Sequence, residues 1–166
     1  ALPYGFDVNM DLIAGLSGET LRTFKHSIQT VLELAPENIT IHTLSRKNGS
    51  NITISGEKST DDDTIEKMVN FATITLQENG YKPYYLYRQK NQLAEQENVG
   101  YYRDRLCIFN VDSMEETTSI LACGANAISK KIYGIDNRIE RLANPKDIRE
   151  YISRIDEIIK KKQELF

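Results

Sequence analysis

The chain is 166 residues long with a mass of 19.0 kDa, which suits one domain or one domain and a small appendage, because a chain of this size buries roughly 70% of its unfolded surface. Its 21 Lys and Arg against 24 Asp and Glu give a net charge of −3, leaving no basic face to draw a phosphate backbone, so nucleic acid is not an expected partner. No apolar run approaches the ~20 residues of a membrane helix, and no charged stretch leads into an apolar one at the start. A cytoplasmic protein with no membrane partner is expected.

The chain opens Ala-Leu-Pro-Tyr-Gly, without an initiator Met, and enters a strand within a few residues. That reads as the cut end of a longer protein. Phe6, Val8, Met10 and Leu12 alternate with Asp7, Asn9, Asp11 and Ile13, the pattern of a strand over 6–13 with one apolar and one largely polar face. Gly15 and Gly18 mark a turn. Leu21, Phe24, Ile28, Val31 and Leu32 then recur at helical spacing until Pro36, with Ser17 and Glu19 as the expected cap and dipole partner. Asp11 has two readings. It is either an acid at the ligand-bearing carboxyl end of a βα strand, or a cap bonding the N–H groups of the turn.

Ile39 to Leu44 alternates as a second strand, with His42 and Thr40 on the face opposite Ile39 and Ile41. Strand, helix, strand in this order predicts a right-handed parallel crossover. The polar loop Ser45–Ser50, which contains Lys47, then shares a rim with the turn after Asp11. Ile52 to Ser55 is read as a short strand. Asp61, Asp62 and Asp63 precede Ile65, Met68, Val69, Ala72 and Leu76 at helical spacing, so they are read as a helix start rather than a metal site, and Asn79-Gly80 ends that helix. The aromatic stretch from Tyr81 to Lys90 puts Tyr85, Tyr87 and Gln89 on one strand face and Tyr84, Leu86 and Arg88 on the other. It is read first as a half-buried strand, with a stacking wall for a planar anionic ligand as the alternative.

Residues 91–105 read as a polar surface loop, Leu106 to Val111 as a strand, and Thr117 to Ser129 as a small-residue segment permitting close backbone approach. Lys130 to Gly134 reads as a turn and Asn137 to Ala143 as a strand. The last helix is expected to open on Asn144 and Pro145 with an apolar stripe including Ile148, Ile152, Ile155 and Ile159. Cys107 and Cys123 match no metal-ligand spacing and are expected to be buried thiols. The alternating order predicts an α/β fold in which strands 6–13, 39–44 and 83–89 are parallel neighbours, with helices 18–34 and 62–78 on one face.

Three segments together resemble the oxygen-independent coproporphyrinogen III oxidases (coproporphyrinogen dehydrogenases) of the radical S-adenosylmethionine (SAM) enzymes. They are Asn9-Met-Asp-Leu-Ile-Ala-Gly-Leu-Ser-Gly-Glu-Thr20, Ile41-His-Thr-Leu-Ser-Arg-Lys47 and Tyr81-Lys-Pro-Tyr-Tyr-Leu-Tyr-Arg-Gln-Lys-Asn91. A fourth, Leu121 to Lys130, is similar to that family's small-residue motif. The resemblance implies the C-terminal half of a partial (β/α) radical SAM barrel over 1–90 and a small α+β extension over 91–166. It implies, in the full-length parent, a [4Fe-4S] cluster that cleaves SAM to a radical, and oxidative decarboxylation of coproporphyrinogen III, a tetrapyrrole, to protoporphyrinogen IX in haem biosynthesis. On this chain it implies Asp11 and Gly15 as cofactor-binding residues, and His42, Lys47, Tyr87 and Arg88 as substrate-binding residues. Ser17, Asn48 and Asn126 depart from the family pattern, and its Cys-x-x-x-Cys-x-x-Cys triplet is absent. The chain is therefore expected to bind no cofactor and to be inactive alone, with self-association through the unpaired edge of its first strand. The competing readings are a non-catalytic α/β tetrapyrrole-binding or carrier module and a plain structural domain.

Overall fold

The computed structural model describes residues 4–44, 60–87, 97–134 and 138–166. They fall in two compact units, Ala1–Cys107 and Ile108–Phe166.

In the first unit, strand β1 (Asn9–Ala14) leads through a turn into helix α1 (Leu21–Leu34), then into β2 (Asn38–Thr43), which pairs with β1 in parallel. Helix α2 (Asp62–Glu78) is followed by β3 (Lys82–Tyr87) and β4 (Asn98–Tyr102), and the sheet order is β1-β2-β4-β3. Both helices form because apolar residues return every three or four positions. Phe24, Ile28 and Val31 of α1 and Ile65, Met68, Ala72 and Leu76 of α2 are buried against Ala14, Ile39 and Ile41 of the sheet. Each of the larger ones, all but Ala72, contributes roughly 1.5–3 kcal/mol on leaving water. Asp61 caps α2 by accepting from Thr64 N, as the acidic run predicts. Helix α1 is capped by Thr20 in a reciprocal box with Thr23, not by the expected Ser17, and it ends on Ala35 in the left-handed conformation just before Pro36.

The parallel pairing of the first two strands follows the prediction, but the third is not their neighbour. Between β2 and β3 lies β4, antiparallel to both. Residues 98–102 were expected in a surface loop because polar sequence surrounds them on both sides. Their inward residues Val99 and Tyr101 form too short an alternation to stand out, yet Tyr101 is buried and its hydroxyl lies 2.9 Å from that of Thr73. The chain after β4 is tied back to β2 by buried Asn38, whose Nδ2 donates to Arg105 O at 3.1 Å and whose Oδ1 accepts from Cys107 N at 3.0 Å. The strand expected at 52–55 lies outside the described residues.

The second unit contains helix α3 (Ile108–Glu115), the antiparallel hairpin of β5 (Ile128–Tyr133) and β6 (Arg138–Ala143), and helices α4 (Ile148–Ser153) and α5 (Ile155–Leu165). Three expectations are corrected here. The apolar run from Leu106 leads into a helix, a short run that periodicity alone does not distinguish from a strand. Lys130 to Tyr133 is strand rather than turn, because Lys131 sits opposite Glu140 and buried Lys130 lies 3.6 Å from Glu116 Oε1. Asp147, not Asn144, caps the C-terminal helical region, while Asn144 donates through Nδ2 to Gly124 O. The thiols are also less buried than expected, Cys107 being half-buried and Cys123 exposed. No helix among the described residues is long and apolar enough to cross a membrane.

Candidate functional site

In β1 the inward residues are Met10, Leu12 and Ala14, so Asn9, Asp11 and Ile13 stand on the opposite, exposed face. The register carries this face across the sheet. Asp11 is opposite Thr40, Thr40 opposite Gly100, and Gly100 opposite Tyr85, one row through all four strands. Ile13 is opposite His42 in the adjacent row. The side chains join along and across these rows. Asn9 Nδ2 donates to Asp11 Oδ1 at 2.7 Å, Thr40 Oγ1 donates to Asn9 Oδ1 at 3.2 Å, and the Tyr85 hydroxyl lies 3.3 Å from Thr40 Oγ1. His42 Nε2 lies 3.4 Å from Asp11 Oδ2, an ion pair when the imidazole is protonated.

Asp11 is in mid-strand, three residues before the end of β1, with a side chain 57% exposed. It does not cap the turn. Glu19 does that, accepting from Gly15 N at 3.3 Å, and burial pushes its carboxyl above the usual range against the bonds from Gly15 and Leu16. The turn is tied further by Thr60, whose hydroxyl donates to Leu16 O at 3.0 Å. Gly15 itself has φ +93°, a left-handed conformation that favours glycine, and a Cβ there would sit 2.9 Å from Ile65 Cδ1 and displace that side chain, so the backbone and the packing against α2 both favour glycine. Tyr87 ends β3 and is 40% exposed, two residues past Tyr85 and on the same face. Lys47 and Arg88 lie outside the described residues. Of the expected site residues the structure therefore joins Asp11 and His42 directly.

Sequence reasoning missed Asn9, Thr40 and Gly100. The first two were visible as polar positions two residues from Asp11 and His42. Gly100 was hidden in the segment read as loop, and its role is steric: a Cβ there would fall 1.9 Å from Tyr85 Cε1, so glycine alone leaves the phenol ring room to cross β4 toward Thr40. Burial pushes the Tyr85 phenol above its ordinary value, opposed by the Thr40 hydrogen bond and reinforced by the Asp11 charge, so it is protonated at neutral pH. The face thus presents a carboxylate, an imidazole and a neutral phenol, groups that orient hydroxyl, amine or carboxylate ligands. A concavity of about 520 Å³ lies elsewhere, at the helix starts beside Glu19, Thr60 and Asp61, where the acids disfavour an anion. Among the described residues no group of three or more His, Cys, Asp or Glu side chains is placed to hold a metal, and each unit has a single cysteine.

The chain is 41% identical, over 167 aligned residues, to the oxygen-independent coproporphyrinogen-III oxidase-like protein HemZ of Bacillus subtilis (strain 168), a match covering 96% of this chain and 33% of that protein. The chain is related to the oxygen-independent coproporphyrinogen III oxidase-like family. It spans about a third of the length of the curated relative it matches. Its fold is also that of part of coproporphyrinogen III oxidase (HemN) from Escherichia coli, described as a radical SAM enzyme. The TM-score is 0.64 at 18% identity, over 95% of this chain and 36% of that one. No family model matches the chain.

Proposed function

We propose that the chain is the later part of an oxygen-independent coproporphyrinogen III oxidase-like radical SAM protein. In this reading its parallel β1–β2 pair belongs to a partial (β/α) barrel, and its exposed polar face lines the cofactor and substrate space. Asp11, with Gly15 at the following turn, contacts SAM. His42, Lys47, Tyr87 and Arg88 meet the carboxylates of a tetrapyrrole. The observation that carries the reading is the Asp11–His42 pair on an open polar sheet face, within the segments that resemble the family. Each Asp11 oxygen has one partner here, Asn9 at Oδ1 and His42 at Oδ2, and the second lone pair of each remains to accept from ligand hydroxyls. SAM, when bound beside a reduced cluster, supplies hydrogen abstraction from the substrate's propionate side chains. The cluster does not fit the residues of this chain: thiolates hold such clusters, and each unit offers one thiol. The chain alone is therefore inactive in this reading, and its part is to position ligands.

The test is calorimetric titration of SAM into the complete protein carrying Asp11→Ala. A charge-assisted hydrogen bond contributes roughly 1.5–3 kcal/mol, so a tenfold to hundredfold weaker Kd is expected at about 1.4 kcal/mol per decade. An unchanged Kd would remove the assignment of this face as the cofactor site. A second reading, a non-catalytic tetrapyrrole-binding module, draws on the exposure of Leu86 and Tyr87 on β3, at 62% and 40%. Haem binding by the complete protein, unaccompanied by any SAM binding, would favour it.

A further inference from the structure

The hydrogen bonds on the polar face have a forced direction. An ionised carboxylate accepts and never donates, so the Asn9 group facing Asp11 Oδ1 is the amide NH2, and the Asn9 oxygen is the group left facing Thr40. That oxygen also only accepts, so Thr40 spends its one hydroxyl proton on it. The Tyr85 hydroxyl, 3.3 Å from Thr40 Oγ1, is then the donor in the last contact. Protons are offered in one sense only, from Tyr85 to Thr40 to Asn9 to Asp11. Each bond polarises the next, so the chain holds its members more firmly than isolated pairs would.

The sheet is built to let Tyr85 take this place. Its row neighbour on β4 is Gly100, and a Cβ there would lie within 1.9 to 2.7 Å of three ring atoms. The ring occupies the space of the missing side chain and so reaches across β4 to β2. We propose that Tyr85 is a positioning residue of this site, the first donor of a one-way hydrogen-bond chain through Thr40 and Asn9 that fixes the Asp11 carboxylate for its ligand. The proposal rests on the reading of this face as a SAM site, and it adds a residue on the far strand of the sheet to it. Burial keeps the phenol protonated at neutral pH and hence able to donate.

The experiment is a double-mutant cycle in the complete protein, with SAM affinity measured by calorimetry and folding checked by thermal melting. Tyr85→Phe keeps the ring and removes the donor. It is expected to weaken SAM binding about three- to tenfold, the worth of a neutral hydrogen bond. In the Asp11→Ala background the same change is expected to have no further effect, because the group it positions is gone. Thr40→Val is expected to match or exceed the loss, and Thr40→Ser, which retains the hydroxyl, to restore affinity. A purely structural role for Tyr85 would show the same loss with or without Asp11. If Asp11→Ala weakens binding and Tyr85→Phe does not, the proposal is overturned while the site reading stands. If Asp11→Ala itself is silent, the site reading fails. The chain is then judged by urea unfolding of the same cycle, where additive effects of Tyr85→Phe and Asp11→Ala overturn it and a coupling of about fivefold in the unfolding constant upholds it.

Discussion

At the scale of single residues, two glycines show how an identity visible in the sequence acquires its reason from packing. Gly15 stands out in the sequence as a turn residue within the segment that resembles a cofactor motif. The structure adds that its positive φ and its approach to Ile65 favour glycine before any ligand is considered. Gly15→Ala is expected to destabilise the chain by about 1–3 kcal/mol, from left-handed strain plus displacement of Ile65. Urea unfolding measures it, and a loss below about 0.5 kcal/mol would mean that α2 yields without cost. Gly100 is the opposite case. Nothing in its local sequence marks it, because its meaning is the ring of Tyr85, a residue adjacent only through strand pairing. Asp11 and His42 were legible for a simple reason: both lie on polar faces of alternating strands, and alternation is a local property.

At the scale of elements, the helices were the legible part. Their apolar period runs over several turns, and Asp61, Pro36 and Asn79 punctuate them. The short strands were not, since β4 and β5 are stabilised by cross-strand partners that the linear sequence does not show. The βα turn between β1 and α1 carries a consequence in pH. Its Glu19 has a folded-state affinity for protons above the unfolded value, caused chiefly by burial. The folded state therefore binds more protons than the unfolded state, and this group's contribution falls as pH rises from the unfolded carboxylate value, about 4.3, through the raised folded one. Glu19→Gln keeps an oxygen to accept from Gly15 N and removes the titration. Urea midpoints at pH 4 and pH 7 are expected to show the variant gaining stability relative to the parent as pH rises. A difference that is constant or of opposite sign would show that the hydrogen bonds from Gly15 and Leu16, not burial, govern this carboxyl.

At the scale of the whole molecule the two units differ in what holds them. The first has a contiguous core in which Phe24, Ile28, Ile39, Ile65, Met68 and Leu76 are all essentially removed from water. In the second, Ile158 is the sole buried apolar side chain among the described residues, while Ile148, Ile152 and Phe109 are more than 60% exposed. What orders it is polar: the β5–β6 ladder, the Asn144–Gly124 bond and the Glu116 ion pairs with Lys130 and Arg141. The exposed Arg141 pair contributes about 0–1 kcal/mol, the gain from pairing buried Lys130 is largely offset by its desolvation, and a lone two-stranded hairpin is marginal in water. Against these stands a backbone ordering cost of roughly 1–2 kcal/mol per residue, which one buried isoleucine does not offset. A peptide of residues 108–166 is therefore expected to lack a cooperative unfolding transition, whereas residues 4–107 are expected to unfold in a single one. Circular dichroism against temperature and urea distinguishes the two. A cooperative melt of the 108–166 peptide at micromolar concentration would show that its polar contacts suffice, and the exposed isoleucines of α4 would then need no covering surface for the unit to fold.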